Sequence, residues 1–194
     1  TLLKIKNLLK TVKKNETKFT VEAVNMAAKD VFILNSFTGE EGFAQLFEFK
    51  AELYAMHIQT SQNRDIDFSG LLQKDATISI NYNDKTRYIN GIITEFAQGP
   101  TVGVTDPKTY RQQERTYYYA TIRPQLWLAT LRENCKIFQN MSAHDIIKEV
   151  LGDHSITLRD SVSSAGQAVR EYCVQYNETD FNFISRLMEA EGIF

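Results

Sequence analysis

Residues 170–194 constrain the fold more than any other part of the chain, because they predict a strand, a helix and the first residues of a second strand in that order. Glu171–Tyr176 is predicted to form the first strand. Phe181, Ile184 and Met188 follow at i, i+3 and i+7, which gives the helix one apolar face. That face has to be buried, so the helix is expected to pack against another element.

Both ends of this helix carry residues that are typical of helix ends. Asn177 is predicted to be the N-cap, because its side-chain oxygen can accept a hydrogen bond from one of the first backbone amides. Glu178 and Asp180 place negative charge at the positive end of the helix, and we interpret both as helix-end charges. Gly192 can adopt the left-handed conformation and is expected to end the helix.

The same residues resemble a known family. The order Tyr-x-Val-Gln-Tyr-x-Glu-Thr-Asp, followed by Phe-x-x-Arg-Leu-x-Glu-x-Glu-Gly-Ile, is similar to the signature of VgrG, the trimeric spike protein of the bacterial type VI secretion system. More loosely, it resembles the hub of contractile phage baseplates. The resemblance implies that the residues matching the signature have structural roles, and these are Gln175, Tyr176, Glu178, Asp180, Arg186, Leu187 and Gly192.

The composition is that of a folded protein. The chain of 194 residues suffices for one or two compact units, and 43% of it is apolar. A net charge of −2 weighs against nucleic acid as a partner, and no apolar run approaches the ~18 residues of a membrane-spanning helix. Cys135 and Cys173 belong to no CxxC pair, so we interpret both as small buried hydrophobic residues.

The N-terminal segment 1–18 is basic, with six lysines and the single acid Glu16. Leu2, Ile5 and Leu9 lie at helical spacing, which would also suit a segment on a membrane surface. A short packed element followed by a solvated tether is the favoured interpretation, because the apolar part is short. Lysines interrupt what would be the apolar core of a signal peptide. We therefore expect no stable membrane anchor.

The next region predicts a turn followed by an alternating strand. Phe37–Gly42 is expected to form the turn, with its two glycines free to adopt positive φ. From Gln45 to Ala55 apolar and polar residues alternate, so that one face belongs to the core and the other to solvent. This turn and strand are the second block that resembles the family, and its matching residues are Gly39, Glu40 and Phe47.

The middle of the chain is expected to contain a turn, a hairpin and a long loop. Asp65–Leu72 is interpreted as a turn, since its acids lack the spacing of a calcium loop. Ala76–Phe96 predicts a hairpin in which Gly91 marks a bulge. Ala97–Gln113 predicts a weakly ordered loop. The three tyrosines 117–119 suit either an interface or sheet packing on both faces, and packing is favoured.

The last third predicts short helices that alternate with short strands. Pro124 ends the β region and is followed by a helix over Gln125–Arg132. Ser142 caps a further helix that Gly152 ends, and Ser155–Arg159 predicts a short strand. This region is the third block that resembles the family, with Trp127, Phe138 and Gln139 at matching positions.

No set of residues has the spacing that catalysis or metal binding requires. His57, His144 and His154 have no Cys or His partner at ligand spacing, and each is interpreted as a surface histidine or one with satisfied hydrogen bonds. Glu40 and Glu41 are adjacent in a strand and point to opposite faces, so they cannot flank one glycosidic bond. We therefore expect neither an enzyme nor a cofactor.

These elements predict an α+β chain that is mainly β, with an antiparallel β-barrel like that of phage tail hubs followed by a mixed layer with about three short helices. The expected domains are the basic segment 1–18, the barrel 19–123 and the mixed layer 124–194, which is truncated at its C-terminal end. The resemblance implies a second barrel beyond Phe194.

The resemblance implies a structural part of a contractile injection machine. The full-length protein would be a homotrimer that docks its needle on the hexameric tube protein Hcp, contacts baseplate and effector proteins and helps to deliver the effectors. It would be in the bacterial cytoplasm during assembly and would then be secreted or injected. The alternatives are a carbohydrate- or protein-binding module of a surface protein, a phage baseplate hub protein and a cell-wall hydrolase domain.

Overall fold

The computed structural model describes residues 17–21, 32–57, 70–82, 85–105, 110, 112–157 and 168–193. The chain divides into two compact units, Thr1–Pro124 (unit 1) and Gln125–Phe194 (unit 2), and a hydrophobic core lies within each. The predictions for residues 1–16, for 65–69 and for the tip of the hairpin at 83–84 lie outside the described residues. No helix in the described part of the chain is long and apolar enough to cross a membrane.

Unit 1 is a six-stranded antiparallel sheet in the order β1-β4-β5-β6-β3-β2. The sheet curls into a half-barrel in which the edge strands β1 and β2 approach each other. The prediction of a mainly β, hub-like fold is confirmed. The strands are β1 (Thr17–Val21), β2 (Ile33–Glu40), β3 (Glu48–His57), β4 (Asp75–Tyr82), β5 (Lys85–Thr105) and β6 (Gln112–Arg123).

The core of unit 1 lies on the inner face of this sheet, as the alternation predicts. Phe49, Ala51, Leu53 and Ala55 of β3 are all buried there. The opposite face differs from the prediction at Tyr54, which is only 8% exposed. Burial of these apolar side chains is the main source of stability for a sheet with one solvated face.

The prediction of a loop over Ala97–Gln113 is wrong for most of its length. β5 continues to Thr105, and it pairs with β6 from Ile92 to that end. The register of this pairing shifts between Gln98 and Thr101, on either side of Pro100. β4 accompanies β5 only as far as Ile92, so this part of β5 is an edge among the described strands. A proline, which lacks an amide hydrogen, is tolerated at an edge. The register shift interrupts the alternation of apolar and polar residues, so the sequence does not predict this part of the strand.

Gly39 lies in a strand and not in the predicted turn. β2 continues to Glu40, and a Cβ on Gly39 would overlap the ring of Phe49 on the adjacent strand. Glycine is therefore required here for space and not for a positive φ. The residue with a positive φ in the turn that follows is Ala44, at 54°.

Gly91 does not mark a bulge either. It pairs in regular register with Ala76, whereas the register shifts of β5 come later, after Ile93 and after Gln98. A Cβ on Gly91 would overlap the carbonyl oxygen of Arg123. The glycine therefore allows the close approach of β6.

Unit 2 packs helices on a two-stranded antiparallel sheet. Phe138 on one strand stacks on Phe183 of the last helix, with ring centroids 5.4 Å apart, and both are buried. The first predicted helix is a shorter 3₁₀ helix. The elements are the 3₁₀ helix (Gln125–Thr130), β7 (Glu133–Ser142), α1 (Ala143–Gly152), β8 (Val169–Thr179) and α2 (Asp180–Glu191).

The N-terminal caps of the two α-helices are only partly as predicted. Ser142 caps α1 and accepts a hydrogen bond from the amide of Asp145, which confirms the prediction. α2 is capped by Thr179 and not by Asn177, because β8 continues three residues beyond the predicted end at Tyr176. Asn177 lies inside that strand with a φ of 47°.

The C-terminal ends also differ. Gly192 has a φ of 66° and ends α2 as predicted. Gly152 is the last residue of α1, and its cap is Asp153 in the right-handed conformation. The strand predicted from Ser155 is absent over residues 155–157, where the chain forms a turn and an irregular segment, and its remainder lies outside the described residues.

The two cysteines occupy opposite faces of the β7–β8 sheet. Cys173 is buried, as predicted, among the apolar residues under the helices. Cys135 is exposed, so the prediction of a buried residue is wrong for it. Its position in β7 alternates with that of Phe138, and the outer face of this sheet is solvated.

Candidate functional site

The candidate site is a cluster of polar side chains around the carboxylate of Asp180 in unit 2. Asp180 is the first residue of α2, and its side chain is fully buried. One carboxylate oxygen, Oδ2, lies 2.7 Å from Arg132 Nε and 2.8 Å from His154 Nε2. The other, Oδ1, lies 2.9 Å from Asn134 Nδ2 and 2.8 Å from Gln175 Nε2. Each carboxylate oxygen therefore accepts hydrogen bonds from two side chains.

The elements that supply these groups are far apart in sequence. Arg132 precedes β7, Asn134 lies within it, His154 follows α1 and Gln175 lies in β8. The backbone amide of Asp180 also donates to the carbonyl of Arg132 at 3.0 Å. A single carboxylate thus connects the starts of α2 and β7 with β8 and the turn after α1.

The cluster holds Asp180 in its ionised form. Burial alone would raise the pKa of this carboxyl, but hydrogen bonds from Gln175, Asn134, His154 and Arg132 outweigh it and lower the pKa from 3.8 to about 2. Hydrogen bonds to a carboxylate stabilise its charged form, and a low pKa is their expected result. Asp180 therefore carries a full negative charge at neutral pH.

Two further acidic side chains, Asp153 and Glu178, form ion pairs beside the cluster. Asp153 binds Lys136 Nζ at 2.5 Å and Arg132 Nη2 at 3.1 Å, and the hydrogen bond from Lys136 lowers the pKa of Asp153. Glu178 accepts Arg186 Nε at 3.0 Å and Nη2 at 2.7 Å, a bidentate pair in which Arg186 also reaches the carbonyl of Val174 at 2.6 Å. Such paired donors fix both the distance and the orientation of the groups.

The arrangement suits a structural role better than catalysis. A carboxylate with a pKa of about 2 and four hydrogen-bond donors is a weak base at neutral pH and has no proton to donate. In the described part of the chain, no group of three His, Cys, Asp or Glu residues is placed to hold a metal ion. The chemistry available to Asp180 is therefore to hold its neighbours in place.

The structure brings some of the residues that match the family signature together in this site. Gln175, Asp180, Glu178 and Arg186 lie in the cluster or in its flanking pair. Phe138 and Leu187 lie in the core beside it. Asp180 is thus more than the helix-end charge predicted for it, and Glu178 lies in β8 and not in the helix.

The other signature residues lie elsewhere. Gly192 caps α2, Trp127 is half-buried in the 3₁₀ helix, and Gln139 and Tyr176 are exposed on β7 and β8. In unit 1, Gly39 faces the Phe49 ring, Glu40 is exposed at the end of β2 and Phe47 packs at the margin of the core.

No pattern in the sequence indicates a role for Arg132, Asn134 or Asp153, and none connects His154 with Asp180. His154 is a histidine with a satisfied hydrogen bond, which is one of the two states predicted for it. The partners lie 26 to 48 residues from Asp180, and no short motif joins residues at such separations. The residues next to an aspartate at the start of a helix do not show whether its side chain is buried or exposed.

A model of the phage tail baseplate hub (GPD) family matches residues 40–194. The match therefore begins at the end of β2 and includes β3–β6 and all of unit 2.

Among individual proteins, the chain is similar to type VI secretion system spike proteins. It is 36% identical to VgrG1b of Pseudomonas aeruginosa over 166 residues, which are 85% of this chain and 20% of that protein. It is 35% identical to VgrG1c of the same organism, again over 85% of this chain and 21% of that protein. It is 34% identical to VgrG3 of Vibrio cholerae over 54% of this chain and 9% of that protein. The chain spans about a fifth of the length of the Pseudomonas relatives.

Among solved structures, the fold is similar to that of an E. coli component of the type VI secretion system. That protein is described as structurally similar to the T4 bacteriophage tail proteins gp27 and gp5. The TM-score is 0.61 at 18% sequence identity, over 88% of this chain and 42% of that one. This likeness concerns the fold alone.

Proposed function

The chain belongs to the phage tail baseplate hub family, and from this premise we propose that it is a structural part of the spike hub of a type VI secretion system. The observation that carries the proposal is the extent of the family match, which includes most of unit 1 and all of unit 2. The relatives at 34% to 36% identity are all spike proteins of this system, which favours it over a phage baseplate.

The geometry of the candidate site supports a structural role. The ionisable groups of the Asp180 cluster are all engaged with one another, and they fix the position of α2 against the β7–β8 sheet. A cluster that fixes α2 in this way makes unit 2 rigid, which suits a structural protein. We propose that the residues matching the signature act in this way and do no bond chemistry.

The partners follow from the same proposal. The full-length protein would be a homotrimer whose hub sits on the hexameric tube protein Hcp and contacts baseplate and effector proteins. A closed assembly of this kind needs only surfaces that fit one another. Residues 19–123 would form the hub barrel and 124–194 the mixed layer. The protein would assemble in the bacterial cytoplasm and leave the cell through the secretion system.

A secretion assay tests this proposal. The gene is deleted in the bacterium that encodes it, in a background without other spike genes, and the tube protein is measured in the culture medium. We expect deletion to abolish export of the tube protein and the unaltered gene to restore it. Phe183→Ala, which empties the core of unit 2, should restore export poorly, whereas the exposed control Tyr110→Ser should restore it fully. Unchanged export after deletion would show that the proposal is wrong.

A further inference from the structure

The outer face of the large sheet carries an exposed tyrosine among polar side chains at the end formed by β1, β4 and β5. Tyr88 of β5 is 62% exposed, and its position alternates with that of the buried core residue Ile89. Its neighbours on this face are Lys18 of β1, Thr77, Ser79 and Asn81 of β4, and Thr86 and Asn90 of β5. We call these residues, together with Tyr88, the Tyr88 surface.

The Tyr88 surface consists of three rows of side chains across the strands. In the middle row, Ser79 pairs with Tyr88 on one side and with Lys18 on the other. The flanking rows are the pairs Thr77–Asn90 and Asn81–Thr86. With neighbouring strands ~4.8 Å apart and alternate residues of one strand ~6.7 Å apart, the rows cover an area roughly 13 Å long and 10 Å wide. The surface is therefore large enough for a small extended ligand.

The Tyr88 ring differs from the tyrosine rings at the other end of the same face. The rings of Tyr54 and Tyr117 have centroids 6.3 Å apart, and the Arg115 guanidinium lies 4.2 Å from the centre of the Tyr54 ring. Those rings are held by neighbours within the sheet. Among the described residues, no ring or cation packs on Tyr88, and its hydroxyl has no hydrogen-bond partner. The face of the Tyr88 ring is therefore available to a ligand.

The asparagines of the two flanking rows have their amides held in place by threonines. Thr77 Oγ1 donates to Asn90 Oδ1 at 2.8 Å, and Thr86 Oγ1 donates to Asn81 Oδ1 at 2.7 Å. The amide nitrogen of each asparagine has no acceptor among the described residues, and it carries two donors. One oriented amide thus lies on each side of the Tyr88 row with hydrogen bonds left to make.

The charge of this surface favours an uncharged ligand. Lys18 is its single cation, and Asp75 lies on the same face in the row beyond Thr77. A nucleic acid or an acidic peptide would need several cations close together. The donors and acceptors available here are mostly hydroxyls and amides, which bind neutral polar groups.

We propose that the Tyr88 surface binds a β-1,4-linked glycan of N-acetylated sugars, with one sugar ring stacked on Tyr88 and its polar groups bound to Asn81 and Asn90. A sugar ring has a face of C–H groups, which the negative face of an aromatic ring attracts, and a rim of hydroxyl and acetamido groups, which amides can bind. Chitin and the glycan strands of bacterial cell walls share this chemistry. The site goes beyond the proposed structural function, and either can fail without the other.

Co-sedimentation of the full-length protein with purified peptidoglycan sacculi and with chitin particles tests the proposal. We expect the protein to sediment with both materials, and the lower of the two dissociation constants identifies the preferred source. Soluble chitohexaose should release the protein from sacculi, which assigns binding to the glycan and not to the peptide stems. Cellohexaose, which lacks acetamido groups, should release at least fivefold less protein at the same concentration.

The salt dependence separates sugar binding from adsorption by charge. Stacking and hydrogen bonds between neutral groups are screened little, so binding should persist at high salt, whereas adsorption through Lys18 would be lost. No sedimentation with either material, binding that chitohexaose does not reverse, equal release by cellohexaose, or loss of binding at high salt would overturn the inference.

Variants of the surface locate the binding site. Tyr88→Ala should raise the dissociation constant at least tenfold, Tyr88→Phe, which keeps the ring, should change it less than about threefold, and Asn90→Ala should raise it about threefold. The matched control is Tyr110→Ser, which removes another exposed tyrosine and should bind as the unaltered protein does. Circular dichroism shows whether each variant folds, and Asn90→Ala decides if Tyr88→Ala does not. Unchanged binding by folded Tyr88→Ala, or by Asn90→Ala in its place, would show that the site lies elsewhere.

The two proposals fail in distinguishable ways. If the full-length protein supports export of the tube protein but glycan binding is absent or does not depend on Tyr88, the glycan site is wrong and the proposed function stands. If deletion leaves export unchanged while binding to sacculi depends on Tyr88, the proposed function is wrong and the glycan site stands.

Discussion

Units 1 and 2 differ in where their ion pairs lie. In unit 1 the ion pairs of Arg123 with Glu48 and Glu95 lie on the outer face of the sheet, and the core beneath them is apolar. In unit 2 the Asp180 carboxylate is buried next to the core and is neutralised there by its partners. The stability of unit 2 should therefore depend on a particular set of hydrogen bonds, whereas that of unit 1 should depend on apolar burial.

The largest effect is expected when the buried charge is removed. Asp180→Ala leaves four donors without their acceptor and should lower the free energy of unfolding by roughly 3–5 kcal/mol, because each buried donor that loses its acceptor costs about 1–3 kcal/mol. The donors are Arg132 Nε, His154 Nε2 and the side-chain amides of Asn134 and Gln175. Trp127 is the only tryptophan of the chain and lies in unit 2, so urea unfolding followed by its fluorescence reports on this unit.

The partly exposed carboxylate of Asp153 provides the control for this change. Asp153 also binds Arg132, but its side chain is 36% exposed, so Asp153→Ala should cost no more than about 1 kcal/mol. If Asp180→Ala and Asp153→Ala are equally stable, the prediction that a buried charge contributes more than a partly exposed one is wrong.

An apolar substitution in unit 1 should come next. Leu53 is fully buried, and Leu53→Ala should lower the free energy of unfolding by about 3 kcal/mol through lost burial and the cavity that remains. Far-UV circular dichroism, to which the six strands contribute strongly, measures this change in urea. The neighbouring Glu52 faces outward, and Glu52→Ala should change stability by less than about 0.5 kcal/mol. A loss below about 1 kcal/mol for Leu53→Ala would contradict an apolar origin of the stability of unit 1.

The parts of the fold that follow from periodicity are predictable from the sequence. The alternation in β3 and the i, i+3, i+7 spacing in α2 both arise from one buried face, and that face is visible in a single segment. Phe49, Leu53 and Ile184 are accordingly buried as predicted. The Ser142 cap was found for the same reason, since its partner Asp145 is three residues away.

The rest depends on contacts between distant segments. The edge position of Pro100 depends on where β4 ends, and the space required at Gly39 depends on a ring of the adjacent strand. The donors of the Asp180 cluster come from three other elements. The resemblance to the family marked Gln175 and Asp180 as important, but it could not show that they bind each other.

Acid should affect unit 2 through Asp180. The pKa of this carboxyl is about 2 in the folded chain and close to 3.8 when unfolded, so its contribution is complete above about pH 5 and is lost progressively as the pH falls through 2. The difference amounts to roughly 2 kcal/mol at ~1.4 kcal/mol per pH unit. Urea unfolding by Trp127 fluorescence at several pH values measures it. Asp180→Asn, which cannot ionise, should lose less stability over this range, and an unchanged slope would contradict the assignment.

The smallest effect is expected for a surface charge of unit 1. Glu95→Gln removes one of the two carboxylates of Arg123, but the Glu95 side chain is 63% exposed and Glu48 remains bound, so the free energy of unfolding should fall by less than about 1 kcal/mol. Raising the salt concentration screens exposed pairs and should narrow the difference between the two proteins further. Urea unfolding followed by circular dichroism at low and high salt measures both quantities. A loss comparable to that of Asp180→Ala, undiminished by salt, would mean that unit 1 also depends on a specific ion pair, and the distinction between the two units would no longer hold.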